Sequence, residues 1–202
     1  MGHPRSGRRV VITGLGAVTP LGSGVPALWD GLVAGRSGIG RISAFDPSAL
    51  RCQVAGEVPE FDPSGVLDHK LVRRTDRYTQ LALVATREAM ADAGLPEYLE
   101  GTDAERTGFF IGSGLGGNGT LVDQIATWST RGPAHVSPFF IPMAIANMAS
   151  AQAAILTGAQ GPNYSTTSAC ASSGHSLGEA AEVILRGDAE MVIAGGSDAP
   201  VW

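Results

Sequence analysis

The stretch GPNYSTTSACASSGHSLG, residues 161–178, decides how the rest of the chain is read. Asn163 to Ala169 is rich in Thr, Ser and Tyr and reads as a short strand, whereas Leu177 to Arg186 has the apolar spacing of a helix. Cys170 lies at the join. A thiol on a sharp strand-to-helix turn stands clear of the sheet, and the N–H groups of the opening helix turn stabilise its anion. Ala169, Ala171, Ser172, Ser173 and Gly174 are all small, as tight packing of an elbow and free space above the sulfur require. The plainer reading of a free cysteine is a buried small hydrophobe. These flanks favour a nucleophile at Cys170, while Cys52, in an irregular stretch, is expected to be buried.

Outward from the elbow, elements alternate. Upstream the sequence predicts a buried first strand over Arg9–Leu15, a helix over Val25–Ala34, and a loop-rich insertion from Gly35 to about Leu67 with two Asp-Pro-Ser turns. A long helix from about Arg74 to Ala93 ends at Gly94 and Pro96. Then come a strand over Arg106–Gly112, a glycine-rich turn, a helix near Thr120–Thr130 and a buried helix over about Ile141–Thr157. A further buried strand, Ala189–Gly195, follows the elbow helix. This order predicts an α/β fold with a mainly parallel sheet between helix layers.

The 202 residues suffice for a sizeable core, and 44% hydrophobic with 16% charged residues belongs to a folded globular chain. A net charge of −5 argues against nucleic-acid binding. Two distant cysteines give neither a disulfide framework nor metal-ligand spacing and fit a reducing cytoplasm. Phe139–Leu156 is the most apolar later segment, but Pro142, Asn147, Ser150 and Gln152 interrupt it, so no membrane span is expected.

Four further features bear on function. Gly112-Ser113-Gly114-Leu115-Gly116-Gly117 satisfies G-x-G-x-x-G after a strand, yet Arg131-Gly132-Pro133 stands where a ribose-binding acid belongs, so a dinucleotide site is disfavoured and a tight turn preferred. Lys70, Arg73, Arg74 and Arg77 fall at i, i+3, i+4 and i+7, a local basic face in an acidic chain. It is either a solvated helix face or a docking site for an acidic partner, and its concentration favours docking. His175, five positions after Cys170, points away by about 140° if both lie on one helix, so it reads as a packed histidine. Asp198 reads equally as a turn residue or a buried hydrogen-bonding acid.

Five ordered motifs, VVITGLGAVTPLG (10–22), GSGLGG (112–117), SPFFIPMAIANMASAQ (137–152), GPNYSTTSACASSGHSLGEA (161–180) and GDAEMVIAGGSD (187–198), together resemble the β-ketoacyl-acyl carrier protein synthases, most closely the KAS II type. The resemblance implies the thiolase-like fold, of which residues 9–202 would be the N-terminal half, after a flexible tail at 1–8 and incomplete without the C-terminal half. It implies an acyltransferase of fatty-acid biosynthesis, a cytoplasmic homodimer working without cofactor or metal. Cys170 matches the acyl-accepting nucleophile, with its own N–H as one oxyanion donor. Leu115 and Phe140 match positions lining the acyl pocket, whose bland alternative is core packing. Lys70, Arg73 and Arg74 match the face that meets acyl carrier protein, whether acyl- or malonyl-loaded. The family's catalytic histidines, a lysine and a glycine-phenylalanine segment find no match here, so condensation by this chain alone is not expected. Exposed inner faces on Ile141–Leu156 and Leu177–Leu185 are expected instead. The alternatives are a non-catalytic scaffold chain, half of an aromatic-polyketide ketosynthase and, last, an NAD-binding oxidoreductase.

Overall fold

The computed structural model describes residues 7–58 and 60–201, so the tail expected at 1–8 lies almost wholly outside the described residues. Two small antiparallel pairs, β1 (Val18–Thr19) with β2 (Gly22–Ser23) and β3 (Ile39–Arg41) with β4 (Val54–Gly56), flank helix α1 (Val25–Val33). The main sheet has three parallel strands in the order β6 (Asn163–Tyr164), β5 (Thr107–Gly112), β7 (Met191–Gly196). Helices α2 (His69–Val72), α3 (Arg77–Asp92) and α4 (Gly101–Glu105) precede β5. Helices α5 (Asn118–Arg131), α6 (Phe140–Ala144) and α7 (Met148–Thr157) lie between β5 and β6, and α8 (Ser172–Arg186) leads to β7.

Strand β5, TGFFIG, is buried along its whole length because both faces are covered. Phe109 and Ile111 point into one core with Leu67, Tyr78, Leu83, Ala149 and Ala153, contributed largely by α3 and α7. Phe110 points the other way, onto Ala180 and Val183 of α8. This period-two division gives the expected layering of helix, parallel sheet and helix.

Several expectations are corrected. Residues 9–15 form no strand: Val11 and Ile12 are 68% and 79% exposed. The apolar run has the composition of a strand, but no described strand lies beside it to complete a ladder. Instead the segment runs along α3, where the N–H of Leu15 bonds Asp92 and that of Ala17 bonds Glu88 at 2.8 Å. Gly16 lies so close to the Ala85 carbonyl that no side chain would fit there. The helix expected over Arg74–Ala93 starts at Arg77, because Asp76 caps it by accepting from the Tyr78 N–H; α2 is a separate turn capped by Asp68. The helix expected over Ile141–Thr157 breaks at Ile145, whose extended carbonyl takes the Tyr78 hydroxyl at 2.7 Å. The insertion holds the β3–β4 hairpin as well as both Asp-Pro-Ser turns, in which Asp46 and Asp62 accept from Ser48 and Ser64. Cys52 is exposed, with its thiol donating to the Val54 carbonyl, because it lies just before β4, whose residues are exposed or only half-buried.

Candidate active site

The elbow forms where β6 ends early. Beyond Tyr164 the chain leaves the sheet, and hydroxyls take over the ladder bonds that β5 would otherwise lose: Ser150 Oγ accepts from Ile111 N–H at 2.6 Å, and Ser165 Oγ donates to the Ile111 carbonyl at 2.8 Å. One of these hydroxyls, Ser165, belongs to the stretch itself, and the other, Ser150, comes from α7. Thr166 Oγ1 then donates to the Ser172 carbonyl and meets Ser176 Oγ, tying the approach to the first turns of α8.

Cys170 is exposed on the turn between these parts, two residues before α8 begins. The preceding Ala169 has φ 50°, among the described residues the only non-glycine in the left-handed region. Such a conformation costs about 1–3 kcal/mol and persists only where surrounding bonds over-determine it. Here Ser172 supplies them: its Oγ accepts from Ser168 N–H at 2.9 Å and donates to the Ala169 carbonyl at 2.7 Å. Ser172 is 2% exposed, so this double bond is shielded from water.

His175 is exposed and not the packed histidine expected. Its Nδ1 lies 2.6 Å from Ser168 Oγ, because α8 starts at Ser172 and Cys170 lies before the helix, so helical spacing does not relate the two residues. The earlier start was legible in another way: Ser172, Ser176, Ala180 and Val183 form a buried inner stripe at helical spacing, small at its N-terminal end.

The glycine-rich turn packs directly on the elbow. A Cβ on Gly112 would lie 2.7 Å from the Ser172 carbonyl, and one on Gly114 3.2 Å from Ala169 Cα. Leu115, on this turn, is exposed. The Gly117 N–H bonds the Ala144 carbonyl, which holds α6, the helix opened by half-buried Phe140, against the same turn. The turn reading of GSGLGG therefore holds.

The basic residues divide. His69, Lys70, Arg73 and Arg74 line a shallow groove with Ser137 and Phe139, and the Arg74 guanidinium sits 4.6 Å from the Phe139 ring centroid. Arg77 leaves this face, since its helix begins a turn later; it donates to the Val58 carbonyl and stacks on Phe61. Among the described residues no His, Cys, Asp and Glu cluster could hold a metal ion, and no helix is long and apolar enough to cross a membrane.

Residues 7–201 match the family model described as beta-ketoacyl synthase, N-terminal domain. The chain belongs to the β-ketoacyl synthase family. Curated relatives of this synthase domain include 3-oxoacyl-[acyl-carrier-protein] synthase 2 of Coxiella burnetii, 46% identical over 95% of the chain, and that of Staphylococcus aureus, 43% identical over 96%. The chain covers 46% of each relative's own length. Among solved structures, the ishigamide ketosynthase/chain length factor superposes with a TM-score of 0.85 at 30% identity, over 95% of this chain and 48% of that one. A β-ketoacyl synthase from Burkholderia phymatum gives 0.76 at 27%, over 89% and 44%. A type II polyketide ketosynthase in complex with its acyl-carrier protein shares the fold with a TM-score of 0.78 at 21% identity, over 94% and 50%. The synthase domain thus has the thiolase-like ketosynthase architecture expected of it.

Proposed function

We propose that this chain is the nucleophile-bearing half of a fatty-acid-type β-ketoacyl-acyl carrier protein synthase, formed by a domain over residues 9–202. The Cys170 sulfur, as thiolate, adds to the carbonyl carbon of an acyl group held as a thioester on acyl carrier protein. The tetrahedral oxyanion is met by N–H donors, that of Cys170 among them. The carbon–sulfur bond to the carrier then breaks, and the carrier thiol leaves with the proton Cys170 gave up. The observation that carries this reading is the exposed Cys170 on a strained turn at the mouth of α8, packed beside the Leu115 turn. Leu115 and, through α6, Phe140 would bound the acyl chain. The groove of Lys70, Arg73 and Arg74 would steer the acidic carrier.

Decarboxylative condensation with malonyl-carrier protein needs groups that polarise a second thioester and hold an enolate. The histidine at the elbow, His175, has its Nδ1 committed to Ser168, so condensation is not assigned to these residues. Pairing into a homodimer and a cytoplasmic setting complete the proposal, the latter in keeping with two unpaired thiols. The polyketide alternative is favoured by the match to a ketosynthase/chain length factor, but at lower identity than the fatty-acid relatives.

Thioester exchange is nearly balanced in energy, so the test uses excess acyl carrier protein. Intact-mass spectrometry should show one acyl adduct from a long-chain saturated acyl-carrier protein, absent in Cys170→Ala. Arg74→Glu should slow its formation most at low salt. A folded sample with no adduct would overturn the assignment.

A further inference from the structure

Beyond the elbow, one carboxylate in the neighbourhood has no role in the scheme above. Asp198 follows β7 and, exposed and not buried, reaches across to the glycine turn. Its Oδ1 accepts from Ser113 Oγ at 2.8 Å, and from Gly114 N–H and Leu115 N–H at 3.1 Å each; Oδ2 also lies 3.1 Å from the Gly114 nitrogen. Ser113, fully buried, hands the link on, accepting the Gly116 N–H at 2.8 Å through the same oxygen that donates to Asp198. One carboxylate therefore orders three consecutive backbone N–H groups, two directly and one through Ser113. Bonds of this kind to an ionised acceptor are shorter and roughly twice as strong as neutral ones.

The carboxylate is itself fixed. The adjacent Ser197 donates its N–H to the Gly112 carbonyl at 3.0 Å and its hydroxyl to the Tyr78 carbonyl at 2.7 Å, and Tyr78 is fully buried. The clamp is thus anchored at the end of β5 and on α3. On its far side the turn presents Leu115 and presses Gly114 on Ala169, the strained residue before Cys170.

We propose that Asp198 is a positioning residue that fixes the Gly112–Gly117 turn, and so sets both the place of Leu115 and the acyl-chain length accepted at Cys170. The selectivity part rests on the acyl-transfer reading above. A turn held only by glycine backbone has little resistance of its own. A selective wall needs a rotamer and backbone held to a fraction of an ångström.

The test uses the 202-residue chain and three variants, Asp198→Ala, Asp198→Asn and Leu115→Ala, each checked for native circular dichroism. Amide hydrogen exchange at residues 114–116 should speed by about tenfold or more in Asp198→Ala, and Asp198→Asn, whose carboxamide oxygen can still accept at the Oδ1 position, should recover much of the protection. The ratio of adduct formation from 16-carbon and 8-carbon acyl-carrier proteins should change several-fold in Asp198→Ala and in Leu115→Ala, with Asp198→Asn in between. Exchange unchanged in Asp198→Ala overturns the clamp. Faster exchange with an unchanged ratio, while Leu115→Ala shifts it, overturns the selectivity role. No adduct in any protein, or a ratio blind to Leu115→Ala, sinks the acyl-pocket reading and with it the selectivity role, leaving the clamp to be judged by exchange alone. Should Asp198→Ala fail to fold, Ser113→Ala cuts the indirect arm alone, and exchange should then speed at residue 116, with unchanged exchange there overturning that arm of the clamp.

Discussion

Ser172 carries more of the elbow than the cysteine it supports. Its hydroxyl closes the turn around Ala169 from both sides, at Ser168 N–H and at the Ala169 carbonyl. Ser172→Ala is expected to lose about 1–2 kcal/mol, read as a lower urea midpoint at unchanged slope, because a shielded donor and acceptor lose their partner together. Acyl loading of Cys170 should slow in the same variant, since Ala169 would be free to relax from its φ of 50°. A variant with wild-type stability and loading rate would show that the strain is held elsewhere. The sequence singles out Cys170 because a tight elbow with free space above its thiol needs small neighbours in a row. It conceals the pairing of His175 with Ser168, which depends on where the helix starts and on the path of the strand folding over it.

Among the elements, the break between α2 and α3 matters most. Asp76 accepts from Tyr78 N–H with one oxygen, and from the N–H and hydroxyl of Thr120 at 3.0 and 2.6 Å with the other. It joins the starts of α3 and α5 and is only 8% exposed. Asp76→Ala should therefore cost about 2 kcal/mol or more by chemical denaturation, above a simple cap deletion. A loss near zero would mean water replaces the carboxylate as acceptor for all three donors.

Asp68, the α2 cap, has its carboxyl held below the ordinary value of 3.8, chiefly by the Leu71 N–H, then the Lys70 N–H and the charges of Lys70 and Arg74, against an opposing desolvation. With the folded value depressed, its contribution is fully present above the ordinary value and is lost as the pH falls through the lowered one. Protection of the α2 amides should weaken on acidification below about pH 4, and Asp68→Asn should flatten that dependence. Sequence periodicity starts one helix at about Arg74, inside the break, and leaves α2 unread because a four-residue turn carries too little apolar repeat to register. What ends one helix and starts the next is a carboxylate choosing backbone N–H groups, legible as Asp68 and Asp76 only once caps are weighed above periodicity.

The whole molecule shows why residues 9–15, with the composition of a buried strand, form none. Strand composition is local, but a ladder needs a neighbour, and the order of β6, β5 and β7 contains none for this segment. The three-layer core around β5, by contrast, was legible because a strand buried on both faces is a continuous apolar run. Exposed apolar side chains remain on several elements, with Ile155 of α7 at 70%, Trp29 of α1 at 64% and Leu177 of α8 at 52%. Purified chain should bind a hydrophobic dye and sediment as associated species, and a monodisperse, dye-silent monomer would contradict this.

Strands β6 and β7 leave both margins of the parallel sheet without a described neighbour, and the two margins differ in length and in the groups they offer. Symmetry then governs what association builds. Like-to-like pairing at β6 has a two-fold axis and closes at two copies, whereas β6 of one molecule against β7 of the next has no such axis and can repeat without end. A concentration series in light scattering would separate a plateau at twice the monomer mass from growth without a plateau, and so tell closed like-to-like pairing of one margin from open stacking of β6 on β7.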